Sequence, residues 1–599
     1  MSNFFGGFLL GEAVVETCRQ AGCPGGRGSG LVLALVALVI FAARLAYALS
    51  LPGPWFLPDE VSYLQQARAV AVEGRVFSYG LYGGGQPGWP VVLAPVLWVL
   101  GDRPCMAYTA GVVLSSLIGS LIIFPVFALA RRGLSMREAV AAAALAAVLP
   151  GSCLYGWALL SEPLYMLLVA CSAALLARAF DAGRTGDFAG AGFLAGLSYW
   201  VRPFGIATLL ACLAGVVVWG AATRRWRKPL ASVLSAAAVL GVGLAWNAAG
   251  GSVSMTNYGA AIEQNRFWQL LDFLSGWQGW VNLATVIGRD LAYLFVASFG
   301  VFFPLVLVGA TLGILNFRRL VARERALLIA GLAFLVFTVG LTAVAREGPS
   351  IPQVERMYGR YVEPLLPLVV VAGIVVWRRW LADRPAGRSV LIVVLFLALI
   401  LGLTLPKGAT SFANSPGFWY WYLIYQHTPA LVALAVPVAA WLAFSLLSRS
   451  RPAAMALLLT AGVVSTALVA YHVNRYNSQT QPLRDAVGEA VVAVRQEARP
   501  PTHTVLWIDP TLGTASLPVA AQVVQVTCWL SLGLPEVDMR FARQEQVVSV
   551  GDLLLTVAGR AEWPRLWEYR GLGIFRVERP GSWAPSGGAL PPGETDDIP

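Results

Sequence analysis

Charge is what this chain has least of. Only 13% of its 599 residues are charged, where a soluble domain carries about 25%, while 57% are hydrophobic and the mean hydropathy is +0.67. Those values exclude an ordinary soluble enzyme and indicate a polytopic membrane protein. Lysine is nearly missing, so arginine carries the net charge of +11. A basic excess suggests nucleic acid until the positions are read. Most of the arginines stand in short loops between apolar runs, where they orient a protein in a membrane, so no nucleic-acid partner is expected. The three histidines, His427, His472 and His503, are too dispersed to form a metal site. Seven cysteines lack paired metal-ligand spacing and read as structural or incidental. No GxxxxGK[ST], HExxH or GxSxG pattern occurs, which leaves an ATP-driven or conventional hydrolase reading without support. No internal repeat is seen.

Long apolar runs are abundant. They fall at roughly 31–50, 104–130, 137–150, 161–180, 188–200, 204–222, 229–248, 283–315, 325–345, 361–379, 389–405, 429–447 and 453–472, about thirteen spans. The first, with no small-residue cleavage site after it, reads as a retained signal anchor. Basic clusters occupy every second loop, including Arg131/Arg132/Arg137, Arg224/Arg225/Arg227/Lys228 and Arg318/Arg319/Arg323/Arg325. The positive-inside rule makes those loops and residues 1–30 cytoplasmic, and an odd number of spans puts the C-terminus outside. Shorter runs at 137–150 and 188–200 could be tilted, re-entrant or longer than drawn. A run at 88–100 is too short to span and suits the outer interface. The expected fold is therefore an α-helical polytopic membrane domain over 31–472, with a first outer loop at 51–103. A small α/β extracytoplasmic domain follows over 473–580, read from strands at 504–508, 552–556 and 573–577 and an amphipathic helix at 482–497. Residues 581–599, rich in Pro, Gly and acid, read as a disordered tail.

Against so apolar a background, individual charges carry information. Asp59 and Glu60 stand just past the first span, and a carboxylate pair beside lipid is costly to place. Asp59 is also well placed to cap a helix, with Glu60 in its first turn, so cap and active-site acid are both open. Glu162, in Ser161-Glu162-Pro163, repeats the pattern at the outer end of a later span. Ser161 as N-cap and Pro163 in the first turn are ordinary capping grammar. Yet with membrane on both sides Glu162 should face an enclosed aqueous cavity. Outer-side cations are unexpected: Arg202, Arg266, Arg289, Arg346, Arg356, Arg360 and Lys407. Each alone could snorkel to lipid headgroups. Several together suit an anionic ligand, because the guanidinium fork matches phosphate.

Taken together, the first-loop acid pair, the second-loop acid, an Arg-Pro after a Gly-rich span and the Arg-Tyr-x-x-Pro-x-x-Pro of Arg360 to Pro367 resemble the GT-C superfamily of membrane glycosyltransferases. The plan is similar to the lipid A aminoarabinose transferases, the protein O-mannosyltransferases and the actinobacterial arabinofuranosyltransferases. The resemblance implies an inverting transfer of a sugar from a polyprenyl-phosphate carrier to an envelope glycan, lipid or protein, at the outer face of a bacterial cytoplasmic membrane. It implies Asp59, Glu60 and Glu162 as catalytic acids, with Arg360, Arg202, Arg266 and Tyr361 at the donor phosphate. Tyr63, Tyr82, Trp89 and Trp157 are candidates for the sugar and acceptor. The chain departs from the aminoarabinose transferases in having Glu for Asp in the second loop, and Arg68 and Arg75 near the first where those enzymes have Lys. The residues suit this chemistry independently: one positioned carboxylate and cations for the departing phosphate suffice, with no covalent nucleophile. A divalent cation (Mg, Mn or Ca) at Asp59 and Glu60 is compatible with oxygen ligands. A lipid-linked sugar transporter or flippase, and a noncatalytic envelope scaffold, are the alternatives.

Overall fold

The computed structural model describes residues 26–51, 53–54, 59–74, 76–77, 86–100, 103–248, 252–253, 276–346, 359–378, 387–404, 415–448, 450–497, 505–508, 526, 530, 538–541, 547–548, 553–557, 565–569, 572–576 and 581–582. The apolar runs are helices, as they must be where no water is present to satisfy backbone groups. In chain order these are α1 (Gly26–Ser50), α2 (Asp59–Glu73), α3 (Gly88–Leu100), α4 (Pro104–Leu121), α5 (Ile123–Ala130), α6 (Met136–Ala147), α7 (Pro150–Gly156), α8 (Glu162–Ala182), α9 (Thr185–Val201) and α10 (Gly205–Thr223). There follow α11 (Arg227–Ala248), α12 (Trp277–Ala297), α13 (Phe302–Leu315), α14 (Ala322–Arg346), α15 (Leu366–Val376), α16 (Gly387–Leu403), α17 (Trp419–His427), α18 (Ala430–Leu447) and α19 (Arg451–Glu497). Short 3₁₀ turns at Gly359–Tyr361 and Glu363–Leu365 lead into α15.

Among the described residues ten helices are long and apolar enough to cross a membrane, or eleven if α6 and α7 form one span. The chain is a multi-pass membrane protein. The count falls below the thirteen runs read from the sequence because several elements are short. α9 and α16 have 17 residues each. The 283–315 run breaks into α12 and α13 at residues 298–301, where Phe299 (φ 59°) and Gly300 (φ 69°) adopt left-handed backbone. A Cβ on Gly300 would stand 2.5 Å from the Pro437 carbonyl oxygen, so the close approach there requires glycine. The 137–150 run is bent by 56° between α6 and α7, one of the forms its shortness left open.

The described residues divide into two compact units. The first comprises Met1–Ser50, Gly111–Trp246 and Asn265–His472. Its core packs Phe180 of α8, Phe188 of α9, Trp219 of α10 and Ala326 and Ala330 of α14, with the Trp219 indole donating to the Phe180 carbonyl at 3.1 Å. Small residues permit close helix crossings: a Cβ on Gly215 would lie 3.0 Å from the Ala330 Cβ. The basic loops meet at this end of the bundle. Arg132 pairs with Asp181, Arg323 reaches Asp181 at 3.5 Å, Arg178 bonds Asp187 at 2.5 Å, and Arg378 bonds Glu138 at 3.4 Å. Glu162 begins α8 and Asp181 ends it, so about 30 Å of helix separates the two.

The second unit comprises Leu51–Ala110, Asn247–Gln264 and Val473–Pro599. Here β1 (Val76–Phe77) pairs in parallel with β2 (Ser252–Val253). A mixed five-stranded sheet runs in the order β4 (Asp538–Phe541), β3 (Val505–Ile508), β6 (Leu553–Val557), β8 (Leu572–Arg576), β7 (Arg565–Tyr569). β5 (Val547–Val548) and β9 (Gly581–Ser582) form a separate antiparallel pair. β3 is parallel to both neighbours, while β8 lies between β6 and β7 and is antiparallel to both. All three strands expected from the sequence are present, within a residue of where they were placed. The 482–497 helix is the end of the 47-residue α19.

Candidate active site

The bent segment between α6 and α8 sets the site. Pro150 has no N–H to continue α6, so the helix breaks, and α7 and residues 157–160 deliver Ser161 and Glu162 to the start of α8. Glu162 is 1% exposed and sits in the first turn, where the helix dipole favours a negative charge. Two guanidiniums converge on its Oε1. Arg202, in extended backbone just past α9, pairs with Glu162 and donates to the Ser161 hydroxyl at 3.2 Å. Arg360, buried in the 3₁₀ turn ahead of α15, pairs through Nε with the same oxygen. Tyr361 lies under the Arg202 guanidinium, 5.6 Å from the ring centroid, and stacks on Phe204 at 4.4 Å. The Tyr165 hydroxyl donates to the Phe204 carbonyl at 3.1 Å, tying α8 to the same corner. Two guanidiniums thus share one buried carboxylate oxygen.

A second buried carboxylate, Glu363, stands one turn further on. It accepts a hydrogen bond from the Tyr293 hydroxyl and another from the Gly417 N–H at 3.1 Å. The Gly359 N–H donates to the Ser415 hydroxyl at 3.2 Å, so the 3₁₀ turn and the 415–418 turn are bound together. Gly151 of α7 lies against the Glu363 carboxylate, and any Cβ there would collide with it. Tyr155, fully buried, lies in the field of Glu162, Glu363, Arg202 and Arg360 and so links the two carboxylate clusters. Glu363 was not singled out from the sequence. The signal existed: an acid inside an apolar stretch, three residues after Arg360.

Asp59 and Glu60 belong to the second unit and begin α2, as the capping grammar anticipates. Asp59 is half-buried at the helix N-terminus, but Glu60 is fully buried and accepts a hydrogen bond from the Tyr108 hydroxyl at 2.9 Å. Arg484 of α19 adds its positive charge nearby. Tyr63 is half-buried on α2, and Trp89 is completely enclosed at the start of α3. Trp157, in the first unit, is 4% exposed and packs on Tyr47 with ring centroids 4.3 Å apart. Thus Glu162, Arg202, Arg360 and Tyr361 come together, with Trp157 on the segment that precedes them. Arg289, one turn before Tyr293 on α12, donates to the Thr404 carbonyl at 3.0 Å. Arg266, Tyr82, Arg356 and Lys407 lie outside the described residues. Among the described residues no three His, Cys, Asp or Glu side chains gather as a metal would require. Of the acid pair expected to suit a divalent cation, Glu60 already accepts the Tyr108 hydroxyl on one carboxylate oxygen.

Residues 106–246 match the family described as dolichyl-phosphate-mannose-protein mannosyltransferase, a stretch that includes Glu162 and Arg202. Over that stretch the match agrees with the resemblance read from the sequence. Among solved structures, the chain is similar to apo ArnT from Cupriavidus metallidurans, at 15% identity, 92% coverage of this chain and 98% of that one, with a TM-score of 0.48. It is similar to the arabinosyltransferase EmbB from Mycobacterium smegmatis, at 16% identity over 73% of this chain and 41% of that one, with a TM-score of 0.40. It is also similar to the Archaeoglobus fulgidus oligosaccharyltransferase, at 14% identity over 82% of this chain and 63% of that one, with a TM-score of 0.39. No curated protein sequence matches the chain.

Proposed function

We propose that the protein is an inverting glycosyltransferase that moves a sugar from a polyprenyl-phosphate carrier to a cell-envelope acceptor, glycan, lipid or protein, at the extracytoplasmic face of a bacterial cytoplasmic membrane. The observation that carries this reading is the convergence of Arg202 and Arg360 on Glu162 at the ends of three spans, partly within the stretch that matches the mannosyltransferase family. Guanidiniums kept in a low-dielectric site suit a lipid-linked phosphate, because their planar donors match its oxygens. In the reaction the acceptor hydroxyl gives its proton to a carboxylate base, the role the sequence resemblance implies for Asp59, and its oxygen bonds to the anomeric carbon from the face opposite the leaving group. The bond from that carbon to the phosphate oxygen breaks, and the arginines hold the polyprenyl phosphate that departs.

Glu162 takes a different part from the catalytic one first given to it. With two guanidiniums on its carboxylate, it serves to hold the clamp in place. Glu60, bonded to Tyr108, anchors α2 and thereby Asp59. No step is assigned to a metal. The test uses purified protein in liposomes with a labelled polyprenyl-phosphate sugar. Arg360→Ala should weaken carrier-phosphate binding by about 1.5–3 kcal/mol, and Arg360→Lys should recover only part of it. Equal affinity in wild type, Lys and Ala would remove the clamp, and label crossing the bilayer without transfer would make the protein a transporter.

A further inference from the structure

The first span carries one charge, Arg44, and it is only 2% exposed. An arginine inside a membrane bundle needs a reason. Its hydrogen bonds go to uncharged groups: Nη2 donates to the Ala147 carbonyl, and Nη1 lies 3.5 Å from the Ser120 hydroxyl. Ala147 is the last residue of α6. Because Pro150 has no N–H and the chain turns there by 56°, the final carbonyls of α6 lose the partners a continuing helix would supply. Side chains replace them one by one. Ser152 donates to the Ala146 carbonyl at 3.0 Å, Arg44 to Ala147, and Thr466 of α19 to Val148 at 2.7 Å. Arg44 also places its positive charge at the negative end of the α6 dipole.

The guanidinium occupies a built slot. A Cβ on Gly119 of α4 would lie 2.9 Å from Arg44 Nη1, and one on Gly156 of α7 would lie 3.7 Å from Arg44 Cδ. The far end of α7 is fastened by neighbours of that slot: Ser116 donates to the Gly156 carbonyl at 2.7 Å and Ser115 to the Ala158 carbonyl at 2.8 Å. The bent segment is thus pinned at both ends, and between the pins and Glu162 there are only a few residues.

We propose that Arg44 is a positioning residue: by closing the α6–α7 break it fixes the segment 150–162 and so sets where Tyr155 and Glu162 stand. The consequence for transfer rests on the glycosyltransferase reading. The consequence for the segment does not. Arg44→Met keeps the length and removes the donors. Arg44→Lys keeps the charge but gathers its donors on one nitrogen, in place of the two that serve Ala147 and Ser120. Amide hydrogen exchange of peptides covering 150–162, in purified full-length protein, should quicken by about tenfold or more in Arg44→Met, as expected for loss of a charged hydrogen bond, and by less in Arg44→Lys. Exchange in α10 and α14, remote from the slot, should stay as in wild type, and kcat should fall more than KM for the donor changes.

Unchanged exchange over 150–162 in Arg44→Met overturns the proposal, as does a uniform rise over the whole chain, which marks general loosening. If the Met variant does not fold, Arg44→Lys and Arg44→Gln decide by the same comparison. If wild type transfers no sugar from any polyprenyl phosphate, the functional reading falls, and the exchange result alone decides the role of Arg44.

Discussion

Replacing Glu162 by Gln keeps the side chain's shape and removes the one negative charge on which Arg202 and Arg360 converge. Charge centres about 4 Å apart attract by about 4 kcal/mol at an effective dielectric of about 20. Glu162 makes two such pairs, against which stand its desolvation and the repulsion between the guanidiniums. The net loss should therefore fall at about 3–5 kcal/mol, the range for removing one partner of a buried pair. Glu162→Gln should unfold at a clearly lower temperature in detergent, read by tryptophan fluorescence. A lipid phosphate supplies the missing charge. At a hundred times its Kd a ligand adds about 2.7 kcal/mol, and this rescue should be larger in the variant, where the phosphate no longer shares the arginines with a carboxylate. Polyprenol without the phosphate and inorganic phosphate without the lipid are the controls. A variant as stable as wild type would show that the ion pairs contribute little. Rescue no greater than polyprenol gives would show that the arginines do not bind phosphate.

Asp59→Asn should lower transfer by about 10²–10⁴-fold while leaving carrier binding nearly intact, and a variant that keeps more than about a tenth of the wild-type rate would reduce Asp59 to a helix cap. Tyr108→Phe removes the 2.9 Å hydrogen bond to buried Glu60 and should cost about 1.5–3 kcal/mol of stability in detergent unfolding, and an unchanged midpoint would mean that Glu60 is held by other groups. Gly151→Ala drives a methyl into the Glu363 carboxylate and should cost about 1–3 kcal/mol. Adding Glu363→Ala should return part of that loss, with a coupling of about 0.5–3 kcal/mol, and strict additivity would mean that the two do not touch.

Much of this could be read from the chain because charges are so few. Glu162, Arg202 and Arg360 stand out as polar residues at the ends of apolar runs, which is a one-dimensional signal. Their partnership is not one-dimensional: Arg360 lies 198 residues from Glu162, and no local pattern states that they meet. The outer arginines were therefore read as awaiting a ligand, when two of them already hold a carboxylate. Glu363 was absorbed into the Arg-Tyr-x-x-Pro pattern as an unspecified position. Helix breaks were harder still. Pro150 marks one, but the break at 298–301 depends on the approach of Pro437 to Gly300, a tertiary contact inside an unbroken apolar run. Strands β4 and β7 lack the apolar runs that identified β3, β6 and β8.

The separation along the chain between Arg360 and its two partners fixes an order of assembly. Glu162 and Arg202 are synthesised only 40 residues apart, so their opposite charges can pair early. At roughly 5–20 residues per second, Arg360 follows about 10–40 seconds after Glu162, and only then can the three side chains meet. The corner is therefore complete only once the segment carrying Arg360 has been made, and a chain stalled before residue 360 holds Glu162 and Arg202 without their third member.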